Sequence, residues 1–146
     1  VFLVDTNVMS ATAPNKRVSR RELAAWMDHN SNRLFVSAIT VAEIEDGIAK
    51  SRRLGAIRKA DELSAWLETL LHLYGQRVLS FAVPAARLAG ALSDLARSKG
   101  LDIGFPDLAI AATAHAGGLT VLTRNIRHFR PLNVSVHDPF VQLPND

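Results

Sequence analysis

The chain predicts an α/β domain built around a mainly parallel sheet, and three observations predict it. Short β-like runs recur along the whole length at Phe2–Val4, Leu34–Ser37, Arg77–Phe81, Thr120–Thr123 and Val134–His137. Most of them are near-continuously apolar, as expected of strands buried on both faces. Helical patterns fill the intervals, and an alternation of strand and helix is the signature of parallel pairing through crossover helices.

The elements follow in order. Phe2–Val4 opens the chain as a strand and ends at Asp5. Arg20 to Asn30 carries Leu23, Trp26 and Met27 at helical spacing. Leu34–Ser37 is the second strand, and a helix is expected from Thr40 to Lys50. The longest helix pattern runs from Ala56 to Tyr74, with Ala60, Leu63, Leu67, Leu70, Leu71 and Tyr74 on one face and Gly75 as the stop. Pro84 opens a helix with Leu88, Leu92, Leu95 and Ala96 on its apolar face, ended by Gly100. Pro106 opens an alanine-rich helix that Gly117-Gly118 closes. Residues 1–140 read as a single domain and 141–146 as a short tail; the chain beyond Pro139 is expected to fray.

Composition narrows the function classes. At 146 residues with 48% hydrophobic residues, the chain suits one folded core. No apolar run is long enough to span a bilayer, and no signal peptide opens the chain, so no membrane role and a cytoplasmic location are expected. With no cysteine, thiolate zinc sites and cysteine nucleophiles are excluded. Net charge is only +3, but the basic residues cluster: Lys50, Arg52, Arg53, Arg58 and Lys59; Arg17, Arg20 and Arg21; Arg124, Arg127 and Arg130. Such runs are either solvated helix faces or a phosphate-binding surface.

Three carboxylates fall where strands give way to helices: Asp5, Glu43 and Asp107. In an open parallel sheet such positions lie near the carboxyl edge, where ligands bind. Acidic oxygens that converge there need a cation, and a hard divalent ion such as Mg²⁺ or Mn²⁺ is the natural tenant. Each acid also has a plain structural reading. Asp5-Thr6-Asn7 makes an ordinary Asx turn. Thr40 and Glu43 have capping-box spacing. Asp107 sits in a helix's first turn, where the macrodipole favours an acid. Glu45, Asp46 and Asp102 are competing carboxylates. Asn125, in Thr123-Arg124-Asn125 after a strand, is a fourth candidate that brings an amide oxygen but no charge. His29, His72, His115, His128 and His137 show no HxH or HExxH pairing, which argues against a zinc hydrolase. GxxxxGK[ST], GxGxxG and GxSxG are all missing, which argues against nucleotide-cradling folds and ordinary α/β hydrolases.

In sequence order, Asp5-Thr6-Asn7, Ser37 to Ile44 with Gly47, Pro106 to Ala114, and Thr123-Arg124-Asn125 with Phe129 resemble the PIN-domain family, and more narrowly the toxins of VapBC- and FitAB-type modules. The resemblance runs from Asp5 to about Pro139. It implies a three-layer α/β/α sandwich with four to five strands and a Mg²⁺- or Mn²⁺-dependent endoribonuclease that hydrolyses RNA with metal-activated water. It makes Asp5, Glu43 and Asp107 the metal and catalytic residues, and puts Asn125 at a fourth position often held by Asp. Thr6 and Asn7 could hold the Asp5 carboxylate or position a metal-bound water, while in this reading Arg124, Arg52 and Arg53 hold the RNA backbone. A small antitoxin inhibiting the acidic groove, a homodimer, and operator DNA bound only through the antitoxin are the implied partners. Two alternatives stand beside it: a catalytically weak or inactive PIN domain that serves as a binding partner of a small antitoxin, and a structure-specific DNA nuclease.

Overall fold

The computed structural model describes residues 1–14 and 20–145; Arg17 of the second basic group lies outside them. A five-stranded sheet is built from β1 (Phe2–Val4), β2 (Leu34–Ser37), β3 (Val78–Leu79), β4 (Thr120–Leu122) and β5 (Val136–His137). Its order is β3-β2-β1-β4-β5, and every neighbouring pair is parallel. The helices are α1 (Thr6–Ser10), α2 (Arg21–His29), α3 (Ala38–Arg53), α4 (Ile57–Tyr74), α5 (Val83–Ser98), α6 (Phe105–Gly117) and α7 (Ile126–Phe129).

Alternation along the strands divides the core into two. Leu3 and Val121 face one layer, where Ala89, Leu92, Ile110 and Phe129 from α5, α6 and α7 meet them. Phe2, Val4, Leu34, Val36 and Leu122 face the other, against Val8, Leu23, Ile44, Ala60 and Leu67 from α1 to α4. Successive side chains of a strand point to opposite faces, so an all-apolar strand is buried on both sides and the α/β/α layering follows. Trp26, Trp66 and Tyr74 are partly buried in the second layer, and burial pushes the Tyr74 phenol up to about 12.

Strand order creates the site's location. The chain steps outward from β1 to β2 to β3, then returns through α5 and α6 to place β4 on the other side of β1. The gap between β1 and β4 is therefore a topological switch point, where crossover helices part and leave a crevice at the carboxyl ends.

The structure departs from the sequence expectation in several places; β4 and β5 are shorter than the expected Thr120–Thr123 and Val134–His137, and α3 runs on to Arg53 past the expected Lys50. Helix α3 starts at Ala38 rather than Thr40, because the Ser37 hydroxyl caps it by accepting from the Ile39 N–H at 3.0 Å. Strand β3 is only Val78–Leu79 because Arg77 belongs to a 3-10 turn, where its guanidinium donates to the carbonyls of Ser31 and Leu34. Helices α1 and α7 are too short to show a helical period in sequence. In the described part of the segment beyond Pro139, expected to fray, Phe140 and Leu143 pack on the second layer, and the His137 Nε2 lies 2.6 Å from the Gln142 carbonyl. Gly118 closes α6 with φ 64°, a left-handed conformation that costs a residue with a Cβ.

Candidate active site

Asp5 stands at the carboxyl end of β1 and is only 3% exposed. Its main chain continues the sheet, donating to the Leu122 carbonyl at 2.9 Å, and its carbonyl starts α1. The carboxylate is held from three sides. Oδ1 accepts from the Thr6 N–H at 2.8 Å, while Oδ2 accepts from the Thr123 hydroxyl at 2.7 Å and the Asn7 amide at 3.2 Å. The Asx-turn reading is not what holds this acid: the Asp5 side chain accepts from the N–H of the next residue and from two side chains, which immobilise it.

Glu43 reaches the same place from α3. The capping-box alternative does not hold, since the cap is Ser37 and Thr40 lies inside the helix. Oε1 of Glu43 instead accepts from the Thr6 hydroxyl at 2.6 Å, and that hydroxyl lies 3.0 Å from the buried Thr40 hydroxyl. Thr6 therefore joins two acids, with its N–H on Asp5 and its hydroxyl on Glu43. The competitors Glu45, Asp46 and Asp102 are exposed.

Asp107 enters from the first turn of α6. Ala109, Ala111, Ala112 and Ala114 are fully buried, so small side chains let α6 lie close to the sheet and fix the direction of its first turn. Oδ2 of Asp107 lies 2.6 Å from the His128 Nδ1 of α7. An isolated histidine carries little signal in sequence, and His128 was invisible there as a partner of an acid 21 positions away. Thr123 was likewise missed as an Asp5 donor; its place directly after an apolar strand, opposite the end of β1, was the available signal.

The electrostatics show that the acids share one field. Burial raises the Asp5 carboxyl to about 6, with the Thr123 and Thr6 hydrogen bonds pulling it down and the charges of Asp107 and Glu43 pushing it up. Among the described residues, no three His, Asp or Glu side chains are grouped so that they could together hold a metal ion. Mg²⁺ takes one or two carboxylates and keeps several waters. The carboxylate oxygens of Asp5, with the charges of Glu43 and Asp107 felt there, are the donor type such an ion takes, with water completing its shell.

The remaining candidates divide. Asn125 contributes its main-chain N–H, which donates to the Thr123 hydroxyl at 2.9 Å, whereas its side chain is exposed. Asn7 ties Asp5 to the Arg124 N–H, which donates to its Oδ1 at 3.2 Å. Thr6 and Asn7 thus hold the carboxylates, the first of the two roles open to them in sequence. The Arg124 guanidinium lies over the Phe140 ring, 4.0 Å from its centroid. Arg52 and Arg53 do not join the site. They end α3, about 14 Å along the axis from Glu43 at the ordinary rise per residue. Arg52 pairs with Asp61 at 2.9 Å on the neighbouring helix, and Arg58 with Glu62 at 3.3 Å, so that basic cluster includes solvated ion pairs away from the acids.

A parallel sheet in this order, with a buried aspartate at the switch point and acids delivered to it by the helices after β2 and before β4, defines a PIN domain. The chain belongs to that family, whose sequence model matches residues 2–132. It is 36% identical over 145 residues to Toxin FitB of Neisseria gonorrhoeae, covering 96% of this chain and 99% of that protein. It is 36% identical over 141 residues to VapC ribonuclease Y4jK of Sinorhizobium fredii, covering 96% and 98%. The crystal structure of FitAcB from Neisseria gonorrhoeae superposes with a TM-score of 0.81 at 33% identity, covering 96% of this chain and 99% of that chain.

Proposed function

We propose that this PIN domain is the toxin of a type II toxin–antitoxin module and acts as a Mg²⁺- or Mn²⁺-dependent endoribonuclease. The observation that carries the reading is the buried Asp5 carboxylate at the switch point, joined through Thr6 to Glu43 and subject to the charge of Asp107. The names of the relatives, a toxin and a ribonuclease, support it. Asp5 and Asp107, with Glu43, would hold the ion, which lowers the pKa of water and offsets charge on the phosphate. Thr6, Asn7 and Thr123 keep the Asp5 oxygens in one orientation. Thr6 takes Oε1 of Glu43, which leaves Oε2 to accept a proton from the attacking water. Arg124, anchored at its N–H by Asn7, holds the RNA backbone.

A small antitoxin of the VapB or FitA kind would inhibit the acidic groove and carry the pair to operator DNA. A cytoplasmic setting suits that role; among the described residues no helix is long and apolar enough to cross a membrane. A homodimer is supported by exposed apolar residues around α5 and α6: Val83 is 70% and Phe105 58% exposed, with Phe105 packed edge-on against Phe81. The test is cleavage of single-stranded RNA by the purified chain with Mg²⁺ or Mn²⁺. Asp5→Asn and Asp107→Asn should each abolish it, and full activity in both would remove the proposal. A substrate lacking the 2′-OH separates RNA from DNA cleavage. The incomplete ligand set and outward Asn125 favour one second reading, a catalytically weak domain whose groove accepts a basic segment of its antitoxin. That reading predicts peptide binding with no cleavage.

A further inference from the structure

Arg20 precedes α2 and Arg124 follows β4, yet both guanidinium groups sit on one aromatic ring. The Arg20 Cζ is 5.2 Å and the Arg124 Cζ 4.0 Å from the Phe140 centroid. Whichever faces they take, the two carbons lie within about 9 Å of each other, each attracted to the ring quadrupole. The ring is held in place by the C-terminal turn: the Phe140 N–H donates to Asp138 Oδ1 at 2.9 Å, and the neighbouring Leu143 packs on the core. Beside it opens a cleft of ≈ 480 Å³ lined by Arg20, Arg21, Glu22, Phe140 and Leu143, among others.

The cleft favours an anion. Among the described residues, neither Arg20 nor Arg124 forms an ion pair, in contrast to Arg52, Arg58 and Arg97. Glu22 is the single acid lining it, against Arg20 and Arg21. Two guanidinium groups on one ring repel each other, and an oxyanion bound close to both lowers that repulsion while its oxygens accept their planar N–H donors. The position relative to the acids is also defined. Arg124 does not line the cleft itself, but its main chain is bonded to Asn7, which is bonded to Asp5, so Arg124 and the Phe140 ring beneath it stand beside the acids.

We propose that Arg20 and Arg124, assembled on Phe140, form a subsite for a backbone phosphate of single-stranded RNA outside the scissile position. The C-terminal turn is then part of the substrate-binding face. This rests on the ribonuclease reading and extends it with Arg20 of the second basic group and with Phe140, which no sequence motif marks.

The test is binding of a fluorescein-labelled single-stranded RNA to the full chain, with Ca²⁺ replacing Mg²⁺, across a salt series. Removing one arginine–phosphate pairing should lower the slope of log K against log[salt] by about 0.7. Arg20→Ala should show one such step and about tenfold weaker binding, with the kinetic effect falling on KM rather than kcat. Phe140→Leu keeps an apolar side chain on the core but removes the ring, and should weaken binding in the same direction. Arg20→Ala in a Phe140→Leu background should then cost less than it does alone, because the ring that places Arg20 is gone. Arg20 is exposed, so its substitution reports on the subsite even where Phe140→Leu fails to fold. Unchanged slope and affinity in Arg20→Ala, in a preparation whose parent binds and cleaves RNA, would overturn the subsite. A parent chain that neither binds nor cleaves RNA would instead overturn the ribonuclease reading.

Discussion

Replacing Asp5 by Asn should destroy cleavage and stabilise the fold, with a pH signature that can be worked out in advance. The ordinary Asp value of 3.8 rises to about 6 in the folded chain. A raised acid binds its proton more tightly when folded, so its contribution to stability is fully present below pH 3.8 and is lost as pH rises through 6. The loss amounts to about 3 kcal/mol at 1.36 kcal/mol per unit, and Asp5 is buried deeply enough for that scale to apply. The substituted amide cannot ionise and escapes the loss, but it presents an NH₂ where Oδ2 now accepts from Thr123 and Asn7. That hydrogen-bond cost is the same at every pH. The change in the mutant–parent difference between about pH 3.5 and about pH 7.5 therefore isolates the electrostatic part, and the other titrating groups cancel. Urea unfolding at the two pH values, without divalent ions, should show Asp5→Asn gaining about 3 kcal/mol on the parent at the higher pH. In melting temperature the gain is on the order of 10 °C. Adding Mg²⁺ at the higher pH should raise the melting point of the parent and leave the variant unmoved. A mutant–parent difference independent of pH would refute the claim that Asp5 is a strained, cation-seeking carboxylate.

Other consequences are more local. Thr123→Val keeps the shape of the side chain but removes a hydrogen bond that favours charged Asp5, so the acid limb of the kcat/KM profile should move to higher pH; stability should fall by about 1–3 kcal/mol as the Asn125 N–H loses its acceptor. His128→Ala frees Asp107 to rotate and should lower kcat/KM about 10–100-fold, read by RNA cleavage, with little change in urea midpoint because the His128 side chain is 52% exposed. Gly118→Ala meets no neighbouring atom but must adopt φ 64°, and should cost about 1–2 kcal/mol in urea unfolding with cleavage intact.

Much of this was legible in sequence because it rests on local signals. Strands buried on both faces must be apolar throughout, so Asp5 stands out as the first polar residue after Phe2–Val4. Alanines in α6 are spaced for close packing, so Asp107 is recognisable at that helix's entrance. What stayed hidden depends on partners remote in the chain. Thr123 reaches Asp5 across 118 positions and Glu43 reaches Thr6 across 37, and no periodicity records such pairings. Glu43 shows the hazard directly: its spacing from Thr40 is correct for a capping box, but Ser37 captures the helix start and releases the carboxylate for the crevice. The packing of the C-terminal turn is hidden for a related reason, since Phe140 meets Arg20 and Arg124, which lie far away in the chain.

The cost of keeping Asp5 charged gives the proposed toxin a common basis for activity and inhibition. Glu43 and Asp107 both raise the Asp5 carboxyl, so any cation placed among the three favours the ionised form and recovers the lost stability. A divalent ion does so with oxygen ligands and leaves room for water. An antitoxin guanidinium would do so with planar N–H donors and fill the same space. The two should therefore compete, and each should lose most of its hold when Asp5 becomes Asn. Titrating the proposed antitoxin segment into the chain at rising Mg²⁺ tests this: apparent affinity should fall with Mg²⁺ for the parent far more steeply than for Asp5→Asn. Equal slopes would place the two cations at separate sites and detach inhibition from the acids.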